Sequence, residues 1–231
     1  MNTTLKPILF VLTSHATKGA SGEPTGYYLS EVTHPLEELD KADIAVEFAS
    51  IAGGEPPVDG LDMNDPVNAR YWNDDKFRAA IRQTHRLADI DANRYSGIFF
   101  AGGHGTMWDF PDSPAVQQVT RDIYEAGGLV SAVCHGPSAL VNVKLSDGSY
   151  LVEGKQVSAF TDDEEREVNH ENTVPFLLAS TLEQRGAHHQ PAPNWTAHVV
   201  VDGRLITGQN PQSASGVGMA LREAITATMQ S

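Results

Sequence analysis

Leu129-Val130-Ser131-Ala132-Val133-Cys134-His135-Gly136-Pro137-Ser138 is an apolar, partly β-branched run that ends at the only cysteine of the chain and is broken at once by Gly136 and Pro137. A new apolar segment comes next. This reads as strand, sharp turn, helix, the arrangement that lifts one side chain above the carboxyl end of a sheet in a strained backbone. Cys134 is therefore the candidate nucleophile, and the helix expected after it would point unpaired N–H groups at the sulfur and favour a thiolate. The alternative is a buried structural cysteine, because free Cys is among the most buried residue types.

Working outward, Lys6 to Leu12 reads as a buried first strand and Ile44 to Ala49 as a second. Gly97 to Ala101 reads as a third, ending in Gly102-Gly103-His104-Gly105-Thr106. Between them, Tyr27 to Val32 and Pro35 to Lys41 read as helical pieces, and Asp74 to Leu87 as a helix with Phe77, Ala80, Ile81, Thr84 and Leu87 inward. Ser113-Pro114 predicts a capped helix that buries Val116, Val119 and Ile123 and stops at Gly127-Gly128. Leu151 to Phe160 predicts two short strand pieces, and Thr161 and Glu164 have capping-box spacing. Asn172-Thr173 predicts the cap of a helix burying Phe176, Leu177 and Leu182. His198 to Val201 and Arg204 to Thr207 predict a hairpin turning at Asp202-Gly203, and Ala214 to Met229 a last helix. Alternation of this kind predicts an α/β fold, a mostly parallel sheet with helices on both faces. The turn-rich stretch from Gly53 to Asn73 carries apolar anchors at Leu61, Met63, Val67, Tyr71 and Trp72, so it reads as an ordered insertion in a single domain spanning residues 1–231, set near the site or at a subunit interface.

With 231 residues, 40% of them hydrophobic, the chain can bury a full core. One cysteine forms no intrachain disulfide, so a cytoplasmic location is expected. Ile8 to Leu12 is too short for a signal-peptide core, and no run approaches the roughly 18 apolar residues of a membrane span. A formal charge of −14 with no Lys/Arg cluster argues against nucleic acid and leaves a neutral small molecule as the easiest ligand.

A nucleophilic sulfur needs a proton acceptor, and the acceptor needs an orienting carboxylate. His135 is adjacent in sequence; Glu165 and Asp162, just beyond the strand ending at Phe160, are the candidate orienters, although most of that acidic run reads as solvated surface. Glu31, flanked by apolar residues, would stay protonated if buried against the cysteine. The N–H groups of Gly102, Gly103 and His135 are candidates for an oxyanion hole. His34 with Glu38, and the pair His188-His189, are each too few ligands for a metal site and read as surface or capping residues. The glycine loop lacks the spacing of a dinucleotide fingerprint.

Ala132-Val133-Cys134-His135-Gly136-Pro137, Ala101-Gly102-Gly103-His104-Gly105-Thr106 followed by Asp109 and Pro111, and Thr207-Gly208-Gln209-Asn210-Pro211 with Ser213-Ala214 resemble the PfpI/ThiJ superfamily. Gly26 through Glu31 to His34-Pro35, and Phe160-Thr161-Asp162 through Glu165, extend the likeness over essentially the whole chain. Within the superfamily it is similar to the glutathione-independent glyoxalase III branch, whose members are also described as heat-shock chaperones. The resemblance implies a flavodoxin-like sandwich, a homodimer, and conversion of methylglyoxal or a similar small 2-oxoaldehyde to a 2-hydroxy acid with no cofactor and no metal. It assigns Cys134 as nucleophile, His135 as acid/base, Glu165 as third member and Glu31 as the carboxyl on the thiol. Glutamine amidotransferases of the superfamily carry His-Pro-Glu near the domain end; Gln209-Asn210-Pro211 stands there in this chain, which argues against glutaminase activity. Amide or peptide hydrolysis, deglycation, and a stress-chaperone or redox-sensor role are the rival readings.

Overall fold

The apolar runs at Ile8–Leu12, Gly97–Phe100 and Leu129–Val133 form the centre of a seven-stranded sheet in the computed structural model, which describes residues 6–228. Across the sheet the order is Val199–Asp202, Leu205–Gly208, Leu129–Val133, Gly97–Phe100, Ile8–Leu12, Val46–Ser50 and His85–Arg86. Neighbours are parallel except for the edge hairpin, where Asp202 pairs with Leu205 and the turn residues are Gly203 and Arg204, one position later than the sequence suggests.

Side chains of period two divide between two cores. Ile8, Phe10 and Leu12 face one side of the sheet with Phe99 and Val133, while Leu9 and Val11 face the other with Ile98, Phe100, Val130 and Ala132. The first face is covered by α1 (Ser30–Asp40), α2 (Pro66–Trp72), α3 (Asp75–Arg82) and α8 (Ala214–Thr228). The second is covered by α5 (Pro114–Glu125) and α7 (Leu178–Gln184); the short α4 (Thr106–Asp109) and α6 (Asp162–Glu167) sit beyond strand ends. The end of the last helix expected at Met229 lies outside the described residues. Ser113 caps α5 by accepting from Val116 N–H, and Val116, Val119 and Ile123 are buried as the pattern predicts.

Several boundaries depart from the sequence reading. Tyr27–Tyr28 is extended and pairs in parallel with Val58–Asp59, so the two helical pieces are one helix, α1, with Pro35 in its interior rather than its first turn. Pro35 supplies a smooth face: a Cβ on Gly218 of α8 would come within 2.6 Å of Pro35 Cα, which is how closely these helices approach. The α3 helix ends at Arg82, because Thr84 and His85 leave it to pair with Gly54 and Ala49, and Ala80 is exposed. Only Gln156–Val157 of the stretch 151–160 is a strand; Leu151 to Gly154 turns instead. The α7 helix begins at Leu178, without the Asn172-Thr173 cap.

The stretch from Gly53 to Asn73 is tied to the body by Asn68, which accepts from the Thr33 hydroxyl at 2.6 Å, and by Asp65 against His34 at 2.8 Å. Its Val58–Asp59 strand reaches the carboxyl edge of the sheet through Leu29 N–H to Asp59 O (3.0 Å). There it meets the loop after Gly97–Phe100, where Tyr28 N–H donates to Gly102 O (3.0 Å). Glu38, expected at the surface, is buried and paired with Arg222 of α8 (2.7 Å), so it and His34 turn to different partners. No described helix is long and apolar enough to cross a membrane.

Candidate active site

Cys134 follows the Leu129–Val133 strand with φ of +61°, a left-handed backbone that a non-glycine residue adopts only when its surroundings enforce it. They do: Cys134 N–H donates to Gly208 O and Cys134 O accepts from Phe160 N–H, both at 2.9 Å. Gly136 must be glycine, because a Cβ there would stand 2.3 Å from Phe100 O. The chain leaves the elbow through a five-residue 3-10 turn, Gly136–Leu140, and not the α-helix expected from sequence.

Cys134 Sγ lies 3.4 Å from His135 Nδ1, and His135 Nε2 lies 2.7 Å from Glu165 Oε2. Thr161 caps α6 in a complete capping box with Glu164, and this fixes the helix that carries Glu165. Asp162, the other candidate orienter, bonds to Ser180 instead. His104 Nε2 meets the second oxygen of the same carboxylate, Oε1, at 2.9 Å. Burial pushes Glu165 up, but the electrostatic pull of the adjacent His135 and the hydrogen bonds from both imidazoles overcome this and hold it well below the usual carboxylate range. The opposite holds for His104, which burial and then His135 push down to about 4, so it is neutral and donates its Nε2 proton. An ionised Glu165 likewise accepts a hydrogen bond from His135 Nε2, which turns Nδ1 toward the sulfur. Among the described residues His104, His135 and Glu165 are the one trio whose ligating atoms lie within 4.8 Å of each other; both nitrogens are engaged by the carboxylate.

On the other side of the sulfur stands Glu31, from the first turn of α1 and fully buried. Its carboxyl is packed on Gly102, where an added Cβ would meet Glu31 Oε2 at 2.3 Å and Cys134 Cβ at 3.0 Å. Burial pushes Glu31 up to about 8, only partly offset by the neighbouring thiol and backbone, so it is protonated at neutral pH. Burial and then Glu31 push Cys134 well above the ordinary thiol value. This corrects the thiolate expected from a helix dipole: the Cys134 sulfur rests as a thiol.

These groups open on a cavity of about 310 Å³ lined also by Tyr28, Asp59, Gly103, Phe160 and Trp195. Of the two candidate oxyanion glycines, Gly103 lines it, and Gly102 backs Glu31 instead. Lys18 donates to His170 Nε2 (3.0 Å) at the same cavity, and the His170 ring stands edge-on to His104 at 4.9 Å. Sequence reasoning passed over His104, although its place between Gly103 and Gly105 at a strand end was the available signal. Tyr28, Asp59, Lys18, His170 and Trp195 carried no local signal, being brought in by two-residue strands and irregular loops.

A mostly parallel sheet sandwiched by helices, with a cysteine elbow at its carboxyl edge and a histidine and carboxylate behind the sulfur, defines the class. The DJ-1/PfpI family model matches residues 24–224, and the chain belongs to that family. It is 32% identical to Glyoxalase 3 of Candida albicans over 90% of this chain and 93% of that protein. It is 30% identical to the glutathione-independent glyoxalase HSP31 of Saccharomyces cerevisiae over 95% and 98%. Among solved structures, the Rapid Encystment Protein 24 KDa of Francisella tularensis superposes with a TM-score of 0.92 at 38% identity, covering 96% of this chain and 99% of that one.

Proposed function

We propose that this protein converts methylglyoxal or a related 2-oxoaldehyde to the 2-hydroxy acid without glutathione. One observation carries the reading: a single thiol has beside it both a carboxyl that is protonated at neutral pH, Glu31, and an imidazole nitrogen, His135 Nδ1, at 3.4 Å. Moving hydrogen between two adjacent carbons requires an acid and a base beside one covalent intermediate. The names of the Candida and Saccharomyces relatives support the same chemistry.

His135 Nδ1 takes the thiol proton as Sγ bonds to the aldehyde carbon, and Glu31 protonates the former carbonyl oxygen, giving a hemithioacetal. Gly103 and His135 N–H groups are the donors assigned to that oxygen as its charge develops. The Glu31 carboxylate then removes the C1 hydrogen while the imidazolium protonates the ketone oxygen, giving an enediol. Glu31 returns the proton to C2, His135 takes the C1 hydroxyl proton, and a thioester results. Water adds its hydroxyl to the acyl carbon and its proton to Glu31; sulfur leaves with the imidazolium proton, and the resting groups are restored.

The test is 2-hydroxy acid formation from methylglyoxal by glutathione-free protein beside Cys134→Ser. The variant is expected to lose at least about a thousandfold in kcat; a rate near wild type overturns the mechanism. The same reading places the protein in the cytoplasm, supported by its lone cysteine, and as a homodimer, supported by the family resemblance; light scattering checks the second. The amidase, deglycase and chaperone readings gain no separate support from the site.

A further inference from the structure

The proposed chemistry leaves unused a linked set of fully buried polar residues, Glu164, Gln209 and Asn210. Glu164 Oε1 accepts from Trp195 N–H (2.9 Å), Gln209 Nε2 (3.2 Å) and Asn210 Nδ2 (2.9 Å). Its Oε2 accepts from the Thr161 N–H and hydroxyl, both at 3.0 Å. Gln209 also grips Ala192 by both backbone groups, accepting its N–H (2.8 Å) and donating to its carbonyl (3.1 Å), and Asn210 donates to Thr196 O (2.9 Å). The segment 192–196 has neither helix nor strand, so these side chains fix it where a backbone ladder does not.

The segment they fix presents one large side chain to the cavity. Trp195 has φ of +60°, a left-handed backbone that is costly for a bulky residue and persists only when its surroundings dictate it. Its ring lines the cavity at 5.7 Å and 62° from Phe160, and Phe160 lies at 4.3 Å and 34° on the His135 ring. The wall therefore runs as continuous aromatic surface up to the acid/base residue. The cavity, at about 310 Å³, is at the lower end of pockets that take ligands far larger than a three-carbon dicarbonyl. Lys18 is the one Lys or Arg lining it among the described residues. It already donates to His170, and Asp59 lines the same space, so an anionic substituent finds no surplus of positive charge.

We infer that Trp195 is a specificity-determining residue, held by Glu164, Gln209 and Asn210 as positioning residues, and that the site favours 2-oxoaldehydes whose ketone carbon bears an aromatic or comparably planar apolar group. The inference rests on the 2-oxoaldehyde reading above. The substituent packs on Trp195 and Phe160 while the aldehyde carbon faces Sγ, and aromatic pairing there adds to simple burial.

The test compares kcat and KM for phenylglyoxal and methylglyoxal in wild type, Trp195→Ala, Trp195→Phe and Asn210→Ala. Wild type is expected to show a KM for phenylglyoxal about tenfold below that for methylglyoxal. Trp195→Ala should lower the phenylglyoxal-to-methylglyoxal ratio of kcat/KM about tenfold through KM, Trp195→Phe should restore most of it, and Asn210→Ala should reproduce the loss more weakly. A ratio unmoved in Trp195→Ala, or a loss confined to kcat and equal for both substrates, overturns the inference. Inert wild type would instead sink the glyoxalase reading, and binding then decides: calorimetry with mandelate and lactate should show mandelate tighter in wild type and the difference erased in Trp195→Ala. Equal affinities in wild type overturn the inference independently of turnover.

Discussion

Glu31 is held protonated in the native protein at a pH where an unfolded glutamate is ionised, and this has a cost that can be read as stability. The folded state binds the extra proton between the ordinary carboxyl value and about 8, so stability falls as pH rises through that window. Glu31→Gln removes the titration. It is expected to raise Tm relative to wild type, by more at pH 8.5 than at pH 5.5, as thermal denaturation at the two values would show. Up to about 1.4 kcal/mol should be recovered for each pH unit that separates the ordinary carboxyl value from the raised one. The same variant should lose methylglyoxal turnover, because the amide cannot give up and recover a proton. In wild type, kcat should decline above about pH 8 as Glu31 ionises. At the elbow, Gly136→Ala would drive a methyl group to within 2.3 Å of Phe100 O; we expect a loss of about 2 kcal/mol or more by urea denaturation, with the residual fold inactive.

Caps separate elements that only stabilise from elements that also aim a side chain at the candidate site. Ser113 caps α5, which packs under the sheet, and Thr161 caps α6, which carries Glu165. Ser113→Ala and Thr161→Ala should each cost about 1 kcal/mol in denaturant unfolding. Only Thr161→Ala should also lower kcat, because the capping box sets where Glu165 meets His104 and His135. Elements of this kind were legible in advance: Ser113-Pro114 and the Thr161 to Glu164 spacing are local signals, as is the apolar run ending at Cys134. The pairing of Tyr27–Tyr28 with Val58–Asp59 was not, because a two-residue strand has no period to read and its partner is some thirty positions away. The α7 start at Leu178 was missed for a related reason, since a good capping residue at Asn172-Thr173 outranked a start that has no side-chain cap.

At the scale of the molecule, the parallel sheet collects groups from far apart in the chain at one edge, and the alternating sequence pattern made that edge predictable. The resemblance, together with adjacency and strand ends, pointed to Cys134, His135, Glu31 and Glu165. It did not reveal that the sulfur would rest as a thiol, because that depends on burial beside Glu31, a property of assembled packing. The approach of α8 to α1 bears on the same point: Gly218→Val would push against Pro35 and move the helix that presents Glu31. Such a variant should lower Tm and also shift the upper limb of the pH profile toward Glu31's ordinary range, which paired melting and kinetic measurements would reveal.

Glu164 and Glu165 are neighbours on a six-residue helix, yet one carboxylate serves the tryptophan loop and the other the imidazoles. Consecutive helical positions point about 100° apart, so the assignment of each acid to its task is set by the residue count from Thr161. The helix is read in frame. Adding or removing one residue between Thr161 and Glu164 would leave the composition of the site almost unchanged and still turn Glu164 and Glu165 away from their partners. This stretch should therefore accept point substitutions at exposed Asp163 and Arg166 far more readily than any change in its length.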